Sequence, residues 1–240
     1  ASGTSKCRNS KGIRSGNLCF SFTGSCDFTV KAKDAAKSLT ELGIPVLLVN
    51  PESPDQLSDM ISLIATATNT QDKADQLLDF INQEKKCLLL LLQPQTTLRI
   101  FTLQVILLSC QLPVQLCTNQ VLSNLQAVKI VASDISDTYW AEISYEQLLS
   151  WNPDYIILAS DAEYTVDDVL SDPNLKDCTA VKNNHVYAIP GDIEALDSPV
   201  PASILASIWL AGILHPDQVS TDTYTKEMNS FYETFYGIKK

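Results

Sequence analysis

Short apolar runs alternate with capped helical segments from residue 144 onward, and this alternation constrains the fold more than any other feature. Residues 144–147 (Ser-Tyr-Glu-Gln) match a capping box at the start of a helix that ends before Asn152-Pro153. Residues 155–158 form a short apolar run typical of a buried strand. Residues 165–168 (Thr-Val-Asp-Asp) start the next helix in the same way, and residues 186–189 form the next strand. This order predicts an α/β domain.

The same alternation is present between residues 34 and 86. Residues 34–42 form a helical stretch that stops at Gly43, and residues 44–49 are an apolar run typical of a buried strand. Leu57, Met60, Ile61 and Ile64 recur at helical spacing. The longer stretch 70–86 repeats that spacing, with Thr70 as its N-cap and two lysines at its end.

The last two helices are predicted to lie in a core. Residues 198–214 carry no charge, so the helix within this stretch must be buried on several sides. The final helix carries an apolar stripe whose spacing predicts that it packs against the domain. The stripe consists of Tyr224, Met228, Phe231, Tyr232, Phe235 and Tyr236.

Acidic residues and cysteines are unevenly distributed along the chain. Residues 1–33 and 85–133 contain one of the 28 acidic residues, Asp27, and six of the seven cysteines. Buried strands would explain residues 87–92, but not the polar segment 1–33. A disulfide framework is disfavoured by the odd count and the irregular spacing. We hypothesise that neither window keeps the native reading frame, and neither shows a legible pattern of elements.

The charge and the motifs exclude several functions. A net charge of −11 disfavours nucleic acid and anionic membrane surfaces as partners. No nucleophile elbow, phosphate-binding loop, dinucleotide fingerprint or zinc-protease helix is present, and the two histidines are too isolated for a zinc site. The longest apolar stretch, 98–116, is interrupted by polar residues and falls short of a membrane span. We therefore expect no enzyme, no bound metal and no built-in cofactor.

Several segments together resemble one family. Residues 142–157, 175–190, 197–216 and the ending 231–237 are similar to the second lobe of substrate-binding proteins of ABC importers. The relevant class handles ferric siderophores, haem and cobalamin. Residues 37–84 resemble the end of the first lobe and the helix that joins the two lobes.

The resemblance implies an α/β fold of two Rossmann-like lobes, bridged by a single long helix, with the ligand held in the cleft between the lobes. Residues 1–69 would then be the remnant of an incomplete first lobe, 70–86 the helix between the lobes, and 87–240 the second lobe. Windows 1–33 and 87–130 are the parts without a legible pattern.

The resemblance also implies partners and a location. The family docks onto its permease through one surface carboxylate on each lobe, and the Ser-x-Glu-Gln match assigns that role in the second lobe to Glu146. A helix-dipole carboxylate is the structural alternative for Glu146. We expect a monomer that works with ABC permease subunits outside the cytoplasm, in the periplasm or lipid-anchored at the cell surface. No signal or anchor is visible in this chain.

The expected ligand site lies at the carboxyl ends of the strands in the second lobe. It comprises the acidic residues after the two strands and an aromatic pair at a position where relatives often contact ligand, namely Asp161, Glu163, Asp192, Glu194, Asp197, Tyr139 and Trp140. Packing over the start of the helix at Ser144 is the structural alternative for Trp140. This lobe contains no arginine from residue 134 onward, which favours haem, a corrinoid or a cationic chelate over a carboxylate-rich ferric siderophore. The alternatives are an α/β enzyme or metallocofactor protein using Asp161 or Glu163, and a truncated product without function.

Overall fold

The computed structural model describes most of the chain and groups it into two compact units. The described residues are 19–22, 26–49, 51, 54–91, 98–103, 112–115, 128–131, 140–160, 162 and 164–239. The units are Ala1–Pro51 and Glu52–Lys240.

The first unit contains a parallel strand–helix–strand arrangement. Strands β1 (Cys19–Phe22) and β2 (Val46–Val49) pair in parallel, and helix α1 (Cys26–Glu41) lies between them in sequence. A parallel pair needs such a crossover, which α1 supplies. The predicted stop at Gly43 is confirmed, because this glycine has φ +75, a left-handed conformation that suits a helix C-terminus. The helix begins eight residues before the predicted start at Asp34.

The second unit contains the remaining elements. In chain order they are α2 (Pro54–Thr68), α3 (Gln71–Leu91), β3 (Leu98–Leu103), β4 (Leu112–Gln115), β5 (Val128–Ile130), β6 (Trp140–Ile143), α4 (Tyr145–Trp151), β7 (Tyr155–Leu158), α5 (Val166–Ser171), α6 (Thr179–Lys182), β8 (Val186–Ala188), α7 (Ser203–Leu214), α8 (Thr221–Phe231) and a π-helical turn (Tyr232–Tyr236). Its main sheet is parallel, in the order β5-β3-β7-β8. Strands β4 and β6 form a separate antiparallel pair.

Strand β7 is buried on both faces of the main sheet. Ile157 is 0% exposed and packs into a core cluster with α7 and α8. Ile156 and Leu158 are also fully buried, but belong to the opposite cluster, with α4 and α5. Successive side chains of a strand point to opposite faces, so an uninterrupted apolar run is what a strand covered on both sides requires. The prediction of a buried strand at 155–158 is confirmed.

Helix α3 is longer than its sequence pattern predicts. The pattern predicts a helix over 70–86, whereas α3 runs to Leu91. The interpretation of residues 87–92 as a buried strand is therefore wrong for residues 87–91. Leucine is a good helix former, and extending an existing helix costs far less than starting one. Leu88 is 3% exposed and joins the same core cluster as α7 and α8.

The window 87–130 also contributes strands, although its sequence shows no legible pattern. Strand β3 lies between β5 and β7, and Phe101 pairs with Ile156. The predicted division at residues 69, 86 and 87 stays a prediction. None of the helices within the described ranges is both long and apolar enough to span a bilayer.

Candidate functional site

The loops after β7 and β8 meet at the carboxyl edge of the main sheet, where ligands of open α/β sheets bind. The two strands are adjacent and parallel, so both chains leave the sheet on the same side. The backbone N–H of Ile189 donates to the carbonyl of Leu158 over 2.9 Å, which continues the pairing one residue beyond β8. The loops that follow the two strands are therefore held side by side.

Ser160 and Asp197 join these two loops. The carboxylate of Asp197 accepts hydrogen bonds from the Ser160 backbone N–H (3.0 Å) and from the Ser160 hydroxyl (2.7 Å). Asp197 is 3% exposed, and hydrogen bonds to a charged acceptor are the stronger kind in such surroundings. The sequence predicts that Asp197 contacts ligand, whereas its carboxylate is buried and hydrogen-bonded to Ser160 of the neighbouring loop.

Gly191 lies against the same serine. A Cβ placed on Gly191 would be 2.8 Å from the Ser160 Cβ, closer than real Cβ contacts come. Only glycine allows this approach without a shift of one loop. Both ends of the segment 191–197 therefore contact Ser160.

The middle of this segment lines a small open pocket. Asp192 and Glu194 line it together with apolar residues of the loop and three residues near the C-terminus, and its cavity volume is about 10 Å³, room for about one water molecule. These are Tyr224 and Met228 of α8 and Tyr232 of the π-helical turn that follows it; α8 and this turn together are called the C-terminal helix. The structure thus brings two of the predicted ligand carboxylates into one pocket.

Phenol groups surround these carboxylates. The Tyr232 hydroxyl donates to Glu194 Oε1 over 2.9 Å. Burial, and next this hydrogen bond, raise the pKa of Tyr232, so the phenol remains a donor at neutral pH and also at moderately alkaline pH. Burial and the nearby Asp192 likewise raise the pKa of Tyr224, and burial and Glu194 raise that of Tyr236. The pocket therefore combines negative charge with protonated aromatic hydroxyls.

Glu146 lies elsewhere, on the exposed first turn of α4. The helix has Ser144 as its N-cap, whose hydroxyl accepts from the backbone N–H of Gln147 over 3.2 Å. Hydrogen bonds from the Glu146 backbone N–H and then from the Ser144 hydroxyl lower the pKa of the Glu146 carboxyl. Glu146 is therefore exposed and ionised at neutral pH, as both a docking residue and a helix-dipole residue would be.

The other predicted ligand residues are described only in part. Trp140 begins β6, where its backbone pairs with Gln115. Tyr139, Asp161 and Glu163 lie outside the described residues. Within the part of the chain that the structure describes, no three His, Cys, Asp or Glu side chains converge as metal ligands would.

Sequence reasoning misses the contribution of the C-terminal helix to the pocket. It interprets Tyr224, Met228 and Tyr232 as core residues, and all three also pack against the core cluster. Their spacing of four residues places them on one face of the helix, and that face adjoins the segment 191–197, called the acidic loop. The four-residue spacing predicts that these three side chains share one face of the helix, but it does not predict which loop that face contacts.

Comparison with known proteins identifies the family. The family model described as "Periplasmic binding protein" matches residues 25–193, which is more than half of the chain. The molybdate-binding protein MolA of Haemophilus influenzae is 27% identical over 120 residues, covering 50% of this chain and 34% of MolA. The chain thus spans about a third of the length of this curated relative.

Solved structures show the same fold. A periplasmic solute-binding protein from Veillonella parvula is similar with a TM-score of 0.76 and 21% identity, over 93% of this chain and 67% of its own. The structure of Haemophilus influenzae MolA with bound molybdate is similar with a TM-score of 0.74 and 20% identity, over 93% of this chain and 73% of its own. The structure of Helicobacter pylori CeuE with bound Ni(II) is similar with a TM-score of 0.71 and 18% identity, over 94% of this chain and 70% of its own.

The solved structures confirm the predicted two-lobe α/β fold class, and the family match confirms the resemblance to periplasmic substrate-binding proteins. The range matched by the family model includes the window 87–130, whose sequence shows no clear pattern of elements. The chain belongs to the periplasmic binding protein family.

Proposed function

We propose that this protein binds a cationic or neutral metal complex outside the cytoplasm and delivers it to an ABC permease. The family supports the solute-binding part of this proposal. The observation that carries the choice of ligand charge is the pair of carboxylates, Asp192 and Glu194, which lie beside the phenols of Tyr224 and Tyr232 and would contact one side of a larger complex. Two carboxylates at a pocket attract a positive charge and repel an anion.

The relatives bind ligands of different charge. MolA is named for molybdate, an oxyanion, and one CeuE structure holds nickel with histidine. A pocket for an oxyanion is expected to offer basic groups or several N–H donors, and no arginine is present from residue 134 onward. Among the ferric siderophores, haem and cobalamin that the resembling class handles, we favour haem, a corrinoid or a cationic iron chelate over a carboxylate-rich ferric siderophore.

A titration of intrinsic tryptophan fluorescence tests the ligand class. The panel comprises haem, cobalamin, cationic and anionic ferric siderophores, Ni(II)-histidine and molybdate. We expect saturable quenching by a cationic or neutral complex and none by molybdate. The absence of quenching by every panel member up to about 100 µM would contradict the proposal, since such weak binding is no basis for solute capture.

Variants of the pocket locate the binding. Asp192→Asn with Glu194→Gln removes two charges and retains the side-chain shapes, so we expect at least a tenfold loss of affinity, roughly 1.4 kcal/mol. Asp217→Asn, at an exposed position away from the pocket lining, is the matched control and should leave affinity unchanged. Equal affinities of the double variant and the control would place the ligand elsewhere.

We further propose that Glu146 docks the protein onto its permease. MolA serves an ABC transporter of Haemophilus influenzae, and an exposed, ionised carboxylate is a suitable partner for an arginine of such a permease. Glu146→Arg should abolish stimulation of the permease ATPase by ligand-loaded protein while ligand affinity is retained. Asp167→Arg, in the exposed first turn of α5, is the matched control because it reverses the same charge at a helix N-terminus. Equal loss in both variants would indicate a helix-dipole effect.

A further inference from the structure

Ser160 is the common contact for both ends of the acidic loop. Gly191, at the start of the segment, approaches its Cβ, and Asp197, at the end, accepts from its N–H and its hydroxyl. The five residues between them, 192–196, include both carboxylates of the pocket. A loop whose two ends contact the same residue has few accessible conformations.

A third contact fixes the middle of this loop. Glu194 accepts from Tyr232, which is 3% exposed and belongs to the core cluster that includes residues of α7. Ile189, just before the loop, and Leu196, within it, are also buried in that cluster. Among these residues only Asp197 holds its partner through two hydrogen bonds, so its loss should free the loop most.

We propose that Asp197 is a positioning residue. Through Ser160 it fixes the segment 191–197, and thereby holds Asp192 and Glu194 in the geometry that binds the ligand. It does not itself contact the ligand. The effect on ligand affinity rests on the function proposed above, whereas the effect on the loop does not.

Amide hydrogen exchange followed by NMR tests the effect on the loop without any ligand. In Asp197→Asn the remaining amide oxygen is uncharged, and we expect the Ser160 amide to exchange at least about tenfold faster than in the unmodified protein. Ser160→Ala removes only the hydroxyl bond and should give a smaller increase within residues 191–197. Asp217→Asn is the exposed control. If both variants leave exchange in this loop at the control value, the positioning role is refuted.

A double-mutant cycle distinguishes positioning from a general loss of stability. The probe is the panel member that quenches the unmodified protein, and the cycle combines Asp192→Asn with Asp197→Asn. If Asp197 positions Asp192, the effect of Asp192→Asn on affinity should shrink at least threefold in the Asp197→Asn background. Additive effects would overturn the proposal. Ser160→Ala replaces Asp197→Asn in the cycle if the latter does not fold.

The two proposals fail in different ways. If no panel member binds the unmodified protein but Asp197→Asn speeds exchange at Ser160, the proposed ligand class is wrong and the role of Asp197 in the loop is supported. If a panel member binds and both exchange and affinity stay unchanged in Asp197→Asn, the ligand proposal stands and the positioning proposal is refuted.

Discussion

Replacing Phe231 with alanine should remove the central contact of the C-terminal helix. Phe231 is 0% exposed, and its ring lies 5.1–5.8 Å, between centroids, from four other aromatic rings. One of these, Phe80, is on α3, and the other three are Tyr232, Phe235 and Tyr236. The truncation of a fully buried phenylalanine costs about 3–5 kcal/mol, and here the loss of aromatic pairs favours the upper half of that range.

This cost is a large fraction of the stability of an ordinary domain, about 5–15 kcal/mol. Urea unfolding followed by circular dichroism should show the loss, and the melting temperature should fall by about 6–20 °C. Leu90→Ala, at a side chain that is 66% exposed on α3, is the control and should change stability by less than about 0.5 kcal/mol. A loss below about 1 kcal/mol for Phe231→Ala would refute the packing described for this helix.

Three further substitutions test local features. Burial lowers the pKa of His215, whose Nε2 has no hydrogen-bond partner among the residues that the structure describes. As the pH falls below about 6.5 the unfolded chain is protonated first, so stability should decrease, and His215→Gln should flatten this part of a urea-unfolding pH series. Burial and the nearby Glu227 raise the pKa of Glu84, so its ionised form is disfavoured in the folded protein. Glu84→Gln should therefore raise the melting temperature at pH 7, and the gain should shrink as the pH is lowered. No gain in melting temperature would contradict this reasoning. Thr165→Ala removes the N-cap of α5, which forms a reciprocal capping box with Asp168, and should cost about 1 kcal/mol in urea unfolding, whereas Thr165→Ser should cost little.

Elements with strong local signals could be predicted from the sequence. The Thr165–Asp168 capping box and the stop at Asn152 (φ 41) are decided by residues a few positions apart, and the structure has both. The doubly buried strand at 155–158 follows from its uninterrupted apolar run. These features need no knowledge of what the rest of the chain does.

Features that depend on distant contacts could not be predicted. The pairing of β3 with β7 joins residues about 55 positions apart, and β3 has no clear alternation of its own. The bond between Ser160 and Asp197 spans 37 positions, so the sequence indicates an acidic loop but not that one of its carboxylates is buried. The end of α3 at Leu91 was missed because a run of leucines suits a buried strand and a helix equally well.

Hydrogen exchange measured by mass spectrometry, with and without the panel member that quenches fluorescence, tests most directly whether a solute binds at the carboxyl edge of the main sheet. We expect slower exchange in the peptides that cover Ser160 and residues 191–197, and no change in the peptide that covers Glu146. Protection confined to other segments, or no binding by any panel member, would contradict the proposed site and function.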